Sequence, residues 1–127
     1  MTATQNTRNR VEFITLESGK DLIVSFAVTA PTAAFGIQSL TLLRTPLYEP
    51  ILEEWERGVS FSFERYDDED DHLETLQWDG PSAVMRLKTR RRDYELDLRN
   101  VDRKARLATR KRLKKMNFDR RIDMTGF

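Results

Sequence analysis

The run VMRLKTRRRDYELDLRNVDRKARLATRKRLKKMNFDRR, residues 84–121, joins two different periodicities back to back. As far as Arg99, apolar and charged side chains alternate with the two-residue period of a strand; from Arg103 the spacing becomes helical. Setting Lys88 opposite Asp93 brings Leu87 to Tyr94, Arg86 to Glu95, Met85 to Leu96 and Ala83 to Leu98. One face of this pairing is apolar and the other alternates opposite charges, so both patterns specify the same register. Thr89 and Arg90, Arg91 and Arg92 form the connecting tip, and partners for these three arginines must come from outside the hairpin.

The helix has readable ends. Asp102 is a good N-cap for Arg103 to Met116, and Asn117 in a left-handed conformation would fold Phe118 back onto Leu113. Ala105, Ala108, Leu113 and Met116 make a narrow apolar stripe that should face the sheet. Around it stand Arg103, Lys104, Arg106, Arg110, Lys111, Arg112, Lys114 and Lys115, with no acid between Asp102 and Asp119. The i,i+4 pairs Arg106/Arg110, Arg110/Lys114 and Lys111/Lys115 are like-charged, each costing roughly 0.2–0.5 kcal/mol in an isolated helix. An anion from this chain or from a partner is needed to offset them.

Upstream, Leu73–Trp78 extends the hairpin to a three-strand meander through a turn at Asp79–Ser82. Val59–Phe63 alternates cleanly, and Asp67 to His72 (DDEDDH) is too charged for an interior and reads as a solvated loop. Pro50 to Gly58 predicts one or two helical turns laying Ile51 and Trp55 against the sheet. Ile37–Arg44 is a strand stopped by Thr45-Pro46, and Thr29 to Gly36 is a connection. Arg10–Leu16 and Asp21–Val28 predict a hairpin around Ser18-Gly19, pairing Val11 with Phe26, Phe13 with Val24, Thr15 with Leu22 and Glu17 with Lys20. Residues 1–9 read as a disordered tail and 10–127 as a single domain. Arg120 to Phe127 either frays or lays Ile122, Met124 and Phe127 on a neighbour. The expected fold is mainly β (α+β): a curled or barrel-like antiparallel sheet of about seven strands, a short middle helix and a C-terminal amphipathic helix.

Composition narrows the function. There is no cysteine, so disulfides, thiolate metal sites and cysteine nucleophiles are excluded. No apolar run suits a membrane helix, and a cytoplasmic protein is expected. The net charge of +1 conceals a division: residues 1–82 hold 6 of the 22 basic and 15 of the 21 acidic side chains, and residues 83–127 hold 16 and 6. Such halves usually neutralise each other. The only histidine, His72, reads as a solvated loop residue rather than a catalyst, and Asp67, Glu69 and Asp71 lack the glycine and distant glutamate of a calcium loop. No glycine-rich phosphate loop is present. No enzyme activity, cofactor, metal or small-molecule substrate is predicted.

Two readings remain. The first is a protein–protein interaction module, by self-association or with another protein, using Leu47, Tyr48, Trp55 and the tail residues Ile122, Met124 and Phe127 as an apolar patch. The alternative is sequence-independent nucleic-acid binding through Arg90, Arg91, Arg92, Arg103, Arg106, Arg110, Lys111 and Lys114. The expected acidic counter-surface is Asp67, Asp68, Glu69, Asp70 and Asp71, assisted by Glu53, Glu54 and Glu56.

Overall fold

The computed structural model describes residues 8–29, 36–64 and 70–127. Its strands are β1 (Arg8–Glu17), β2 (Leu22–Thr29), β3 (Ile37–Arg44), β4 (Ser60–Phe63), β5 (Asp71–Asp79), β6 (Val84–Thr89), β7 (Asp93–Asp97) and β8 (Asp123–Thr125). Two 3₁₀ turns, Pro46–Ile51 and Glu54–Glu56, lie between β3 and β4, and the helix α1 spans Arg103–Met116. The sheet order is β4-β3-β2-β1-β7-β6-β5-β8, and β4 also pairs with β5, closing a ring of seven strands. A closed ring needs an even number of antiparallel neighbours, so seven strands require a parallel pair; here it is β1 beside β7. The ring is not a regular barrel: β4 and β5 meet over only Ser60↔His72 and Phe61↔Asp71. No described helix is long and apolar enough to cross a membrane.

Phe26, Leu40, Leu42, Leu76, Met85, Leu87, Leu96 and Leu98 fill the interior, and α1 adds Leu113 and Met116. Each such side chain contributes about 1.5–3 kcal/mol through apolar burial. The β6–β7 register is the expected one, Lys88↔Asp93 through Met85↔Leu96, with Arg86 Nε 2.8 Å from Glu95 Oε2. Leu98 N–H continues it by donating to the Ala83 carbonyl. β3 and the bounds of α1 also fall where the sequence puts them, and the Asp102 carboxylate caps Ala105 N–H at 2.8 Å.

Several expectations need correction. The β1–β2 hairpin forms, but Val11 faces Val28, Phe13 faces Ala27, Leu16 faces Val24 and Glu17 faces Ile23. The connection is longer than two residues, and Glu12 is an extra residue in the ladder. This bulge lets Val11 on one parity and Ile14 and Leu16 on the other all turn inward, leaving Phe13 exposed. The bulged Glu12 carboxylate is itself used, accepting from Arg10 Nε at 2.7 Å and Thr29 Oγ1 at 2.9 Å. Of the expected tail, residues 1–7 lie outside the described residues, while Arg8 and Asn9 already pair with β7 and Asn9 is buried. The expected 29–36 connection falls largely on residues 30–35, also outside the described residues.

The one or two helical turns expected in the middle of the chain take the form of two 3₁₀ turns, with Pro50 inside the first. They bury Glu49 and leave Ile51 and Trp55 82% and 62% exposed, not against the sheet. Asp71 and His72 belong to β5 and are only 4% and 7% exposed, so neither is a solvated loop residue. On α1, Thr109 is buried in place of Ala108, its hydroxyl donating to the Ala105 carbonyl at 2.8 Å. Asn117 has φ −96°, and the left-handed residue is Arg120 at φ 60°. The tail neither frays nor merely packs: β8 pairs in parallel with β5, Met124 opposite Leu76. Gly126 permits this, because a Cβ there would lie 2.0 Å from the Trp78 carbonyl oxygen.

Candidate functional site

The arginine tip is docked within the molecule. Thr89 organises it: its hydroxyl donates to Asp71 Oδ2 at 2.7 Å and accepts from Arg92 N–H at 3.0 Å. Arg90 donates to the Trp55 carbonyl and Arg91 to the Asp70 carbonyl, both at 2.8 Å. Backbone carbonyls thus take part in holding both guanidiniums. Asp67, Asp68 and Glu69 lie outside the described residues; Asp70 is exposed, and Asp71 is spent on Thr89 and on His72 N–H at 2.9 Å. The structure thus brings Arg90 and Arg91 to the acidic half; α1 also reaches it, through Arg112 on the Glu17 carbonyl and the Met116 carbonyl on Arg44, rather than through a carboxylate among the described residues.

A second cation, overlooked in the sequence, sits at the centre of the adjoining corner. Arg44 ends β3 with no exposed side-chain surface, and all five of its N–H donors are used. Nε and Nη2 reach Glu49 at 2.5 and 2.7 Å, Nη1 and Nη2 reach Asp119 at 2.9 and 2.6 Å, and Nη1 reaches the Met116 carbonyl at 2.8 Å. Phe118 covers the guanidinium, its ring centroid 4.0 Å from Cζ, which is where this residue goes instead of onto Leu113. Burial opposes the Arg44 charge, but Glu49 and Asp119 outweigh it and push its pKa up; in return Arg44 holds the Asp119 carboxyl far below the usual range. Asp119 also accepts from Arg121 at 2.7 Å, and Arg121 from there grips Glu54 at 2.6 Å. A lone arginine ending an apolar strand was the only available sequence signal.

These bonds fix a rigid apolar display. Leu47, Tyr48, Ile51 and Trp55 are all exposed on the paired 3₁₀ turns. Glu49 anchors the first turn, a reciprocal capping box of Glu53 and Glu56 closes the second, and Arg57 Nε donates to the Leu52 carbonyl at 3.2 Å. The expected tail contribution does not materialise: Ile122 is buried and Phe127 packs on Trp78 at 5.6 Å.

The outer face of α1 is the opposite case. Arg103, Lys104, Lys111, Lys114 and Lys115 are exposed and make no hydrogen bond or ion pair among the described residues. Leu107, also exposed, lies among them. Arg106 and Arg110 are half-buried, each with an unbonded Nε, and Arg110 rests over Trp78 at 5.6 Å rather than pointing to solvent. Arg112 turns away to the Glu17 carbonyl. No group of three or more acids and histidines suited to a metal ion occurs among the described residues. Compared with known protein families, curated proteins and solved structures, the chain matches none of them.

Proposed function

We propose that this protein is a protein–protein interaction module that pairs with a second copy of itself. The observation carrying this reading is the exposure of Ile51 and Trp55 on turns that five separate polar contacts hold in place. Large apolar side chains displayed on a rigid element lose little entropy when covered, and tryptophan is prominent at interface centres. Covering Leu47, Tyr48, Ile51 and Trp55 on both copies is worth on the order of 10–20 kcal/mol gross, against an association cost of about 4–15 kcal/mol.

A second copy fits because the two surfaces are complementary and adjacent. Glu53 and Glu54 border the apolar turns, and the basic face of α1 carries Leu107. Arg44 bonds both Glu49 and the Met116 carbonyl, so the first turn sits beside the C-terminal end of α1. Neighbouring acidic–apolar and basic surfaces on one molecule are what a two-fold interface requires: each turn meets the other copy's helix. Light scattering should show a dimer for the wild type at roughly 100 µM and a monomer for Trp55→Glu. A wild-type monomer at that concentration overturns the reading.

A second reading is favoured by the five outer cations of α1 whose side chains have no partner among the described residues, which suit sequence-independent phosphate contacts on nucleic acid. The arginine tip contributes less than its sequence suggests, since Arg90 and Arg91 already serve the fold. On this reading, nucleic-acid affinity falls steeply with salt, and each helix Lys→Ala change lowers the salt slope by about one. An affinity indifferent to salt removes it.

A further inference from the structure

We infer that the outer face of α1 is a shared surface: a single-stranded nucleic acid competes there with the second copy of the chain, so that nucleic acid undoes the pairing. This rests on the pairing proposed above. At about 100° and about 1.5 Å per residue, Arg103, Lys114, Leu107, Lys111, Lys104 and Lys115 fall in that order across an arc of about 120°, along about 18 Å of helix. All six are exposed, and the five cations make no hydrogen bond or ion pair among the described residues. The arc lies opposite the buried Thr109, Leu113 and Met116, so its donors face solvent. Arg106, Arg110 and Arg112, which flank it, are partly buried and stay with the fold.

The helix itself favours an anion along this arc. Arg103 and Lys104 stand in its first turn, which holds no acid and where the helix dipole disfavours cations. Lys111 and Lys115 repel each other one turn apart. A row of phosphates offsets both. Leu107 distinguishes the kind of strand: a duplex keeps its bases stacked and would cover this side chain with charged backbone, whereas an unstacked base of a single strand can lie on it. An α-helix is only about 10–12 Å across, so the arc has the width of one occupant. The second copy's turns would set Trp55 and its apolar neighbours on Leu107, and Glu53 and Glu54 on the cations. Either occupant therefore excludes the other, and each weakens the other's binding by the same factor.

The experiment follows wild-type protein at roughly 100 µM by sedimentation velocity while fluorescently labelled hexathymidylate is added at constant ionic strength. Dimers should give way to single copies, each carrying one oligonucleotide. Lys104→Gln with Lys115→Gln, both exposed positions, should weaken oligonucleotide binding by roughly fivefold or more. Reciprocity supplies a second measurement: at roughly 100 µM the wild type should bind hexathymidylate roughly threefold or more weakly than Trp55→Ala, which pairs poorly and leaves α1 unchanged. That difference should vanish on dilution below the dissociation constant of the pair. Oligonucleotide that travels with intact dimers, or that fails to bind at roughly 1 mM, overturns the inference and leaves the pairing standing. Wild-type protein already monomeric before any addition overturns both. Equal dissociation by an oligoglutamate of matched charge overturns the assignment to nucleic acid, because negative charge alone would then be enough.

Discussion

The corner built around Arg44 and the outer face of α1 carry charge of the same sign to opposite ends. Around Arg44, three arginines have assigned acceptors: Arg44 is bonded five times, Arg121 bridges Asp119 and Glu54, and Arg90 closes onto Trp55. On α1, five exposed cations have none among the described residues. The difference shows that local charge density does not identify a binding surface. The densest basic run, Arg90 to Arg92, includes side chains that brace the fold, while a helix of moderate density has charge to spare. A cation is available to a partner when the chain's own acceptors, carbonyls as well as carboxylates, are out of its reach.

The largest expected effect comes from removing the best-bonded cation. Arg44→Leu leaves Glu49 buried and Asp119 without its guanidinium, and should cost about 3–5 kcal/mol in urea unfolding. A loss below ~1 kcal/mol would mean that the corner is not held by this residue. Next is Asp119→Asn, expected to cost about 1.5–3 kcal/mol at neutral pH. The Asp119 carboxyl is held below its unfolded value, chiefly by Arg44, so its contribution is complete above about pH 5 and is lost as pH falls through and below 4. Arg44, pushed upward from an already high value, adds no pH dependence in that window. The gap between wild type and Asp119→Asn should therefore close on acidification; a gap constant from pH 6 to about pH 2.5 would contradict the assignment.

Smaller effects separate the tip from the helix. Arg90→Ala removes one bond to a carbonyl and should cost about 0.5–1.5 kcal/mol. Lys111→Glu should instead stabilise the monomer by about 0.2–0.5 kcal/mol, because it turns the like-charged Lys111/Lys115 pair into the favourable Glu-before-Lys order. Equal destabilisation by both changes, read by thermal unfolding, would erase the distinction between the two regions.

How much of this was legible follows from the range of each interaction. The β6–β7 register and the start of α1 were readable because apolar face, charge pairing and cap all lie within about twenty residues of one another. The β1–β2 register was not, since Val11 and Ile14 have conflicting parities that only a bulge reconciles. The parallel pairings of β1 with β7 and of β8 with β5 were hidden for another reason: each joins segments far apart in the chain, which no local pattern encodes. Arg44 was invisible as a node because its partners Glu49 and Asp119 come from opposite ends of the charge map. Leu47, Tyr48 and Trp55 are exposed, whereas Ile122 is buried and Phe127 packs against the core. His72 was read from its acidic neighbours as solvated, whereas it begins β5 beside the second 3₁₀ turn, with Nε2 3.2 Å from the Glu56 carbonyl.

Self-pairing through the apolar turns and the basic helix is tested most directly by exchanging charges between the two surfaces. One variant carries Glu53→Lys and Glu54→Lys, making both of its surfaces basic; the other carries Lys111→Glu and Lys114→Glu, making its helix face more acidic. Light scattering should find each alone monomeric at roughly 100 µM, through like-charge repulsion, and their equimolar mixture dimeric. Homodimers that persist in both variants, or a mixture that stays monomeric while the wild type pairs, would contradict the account.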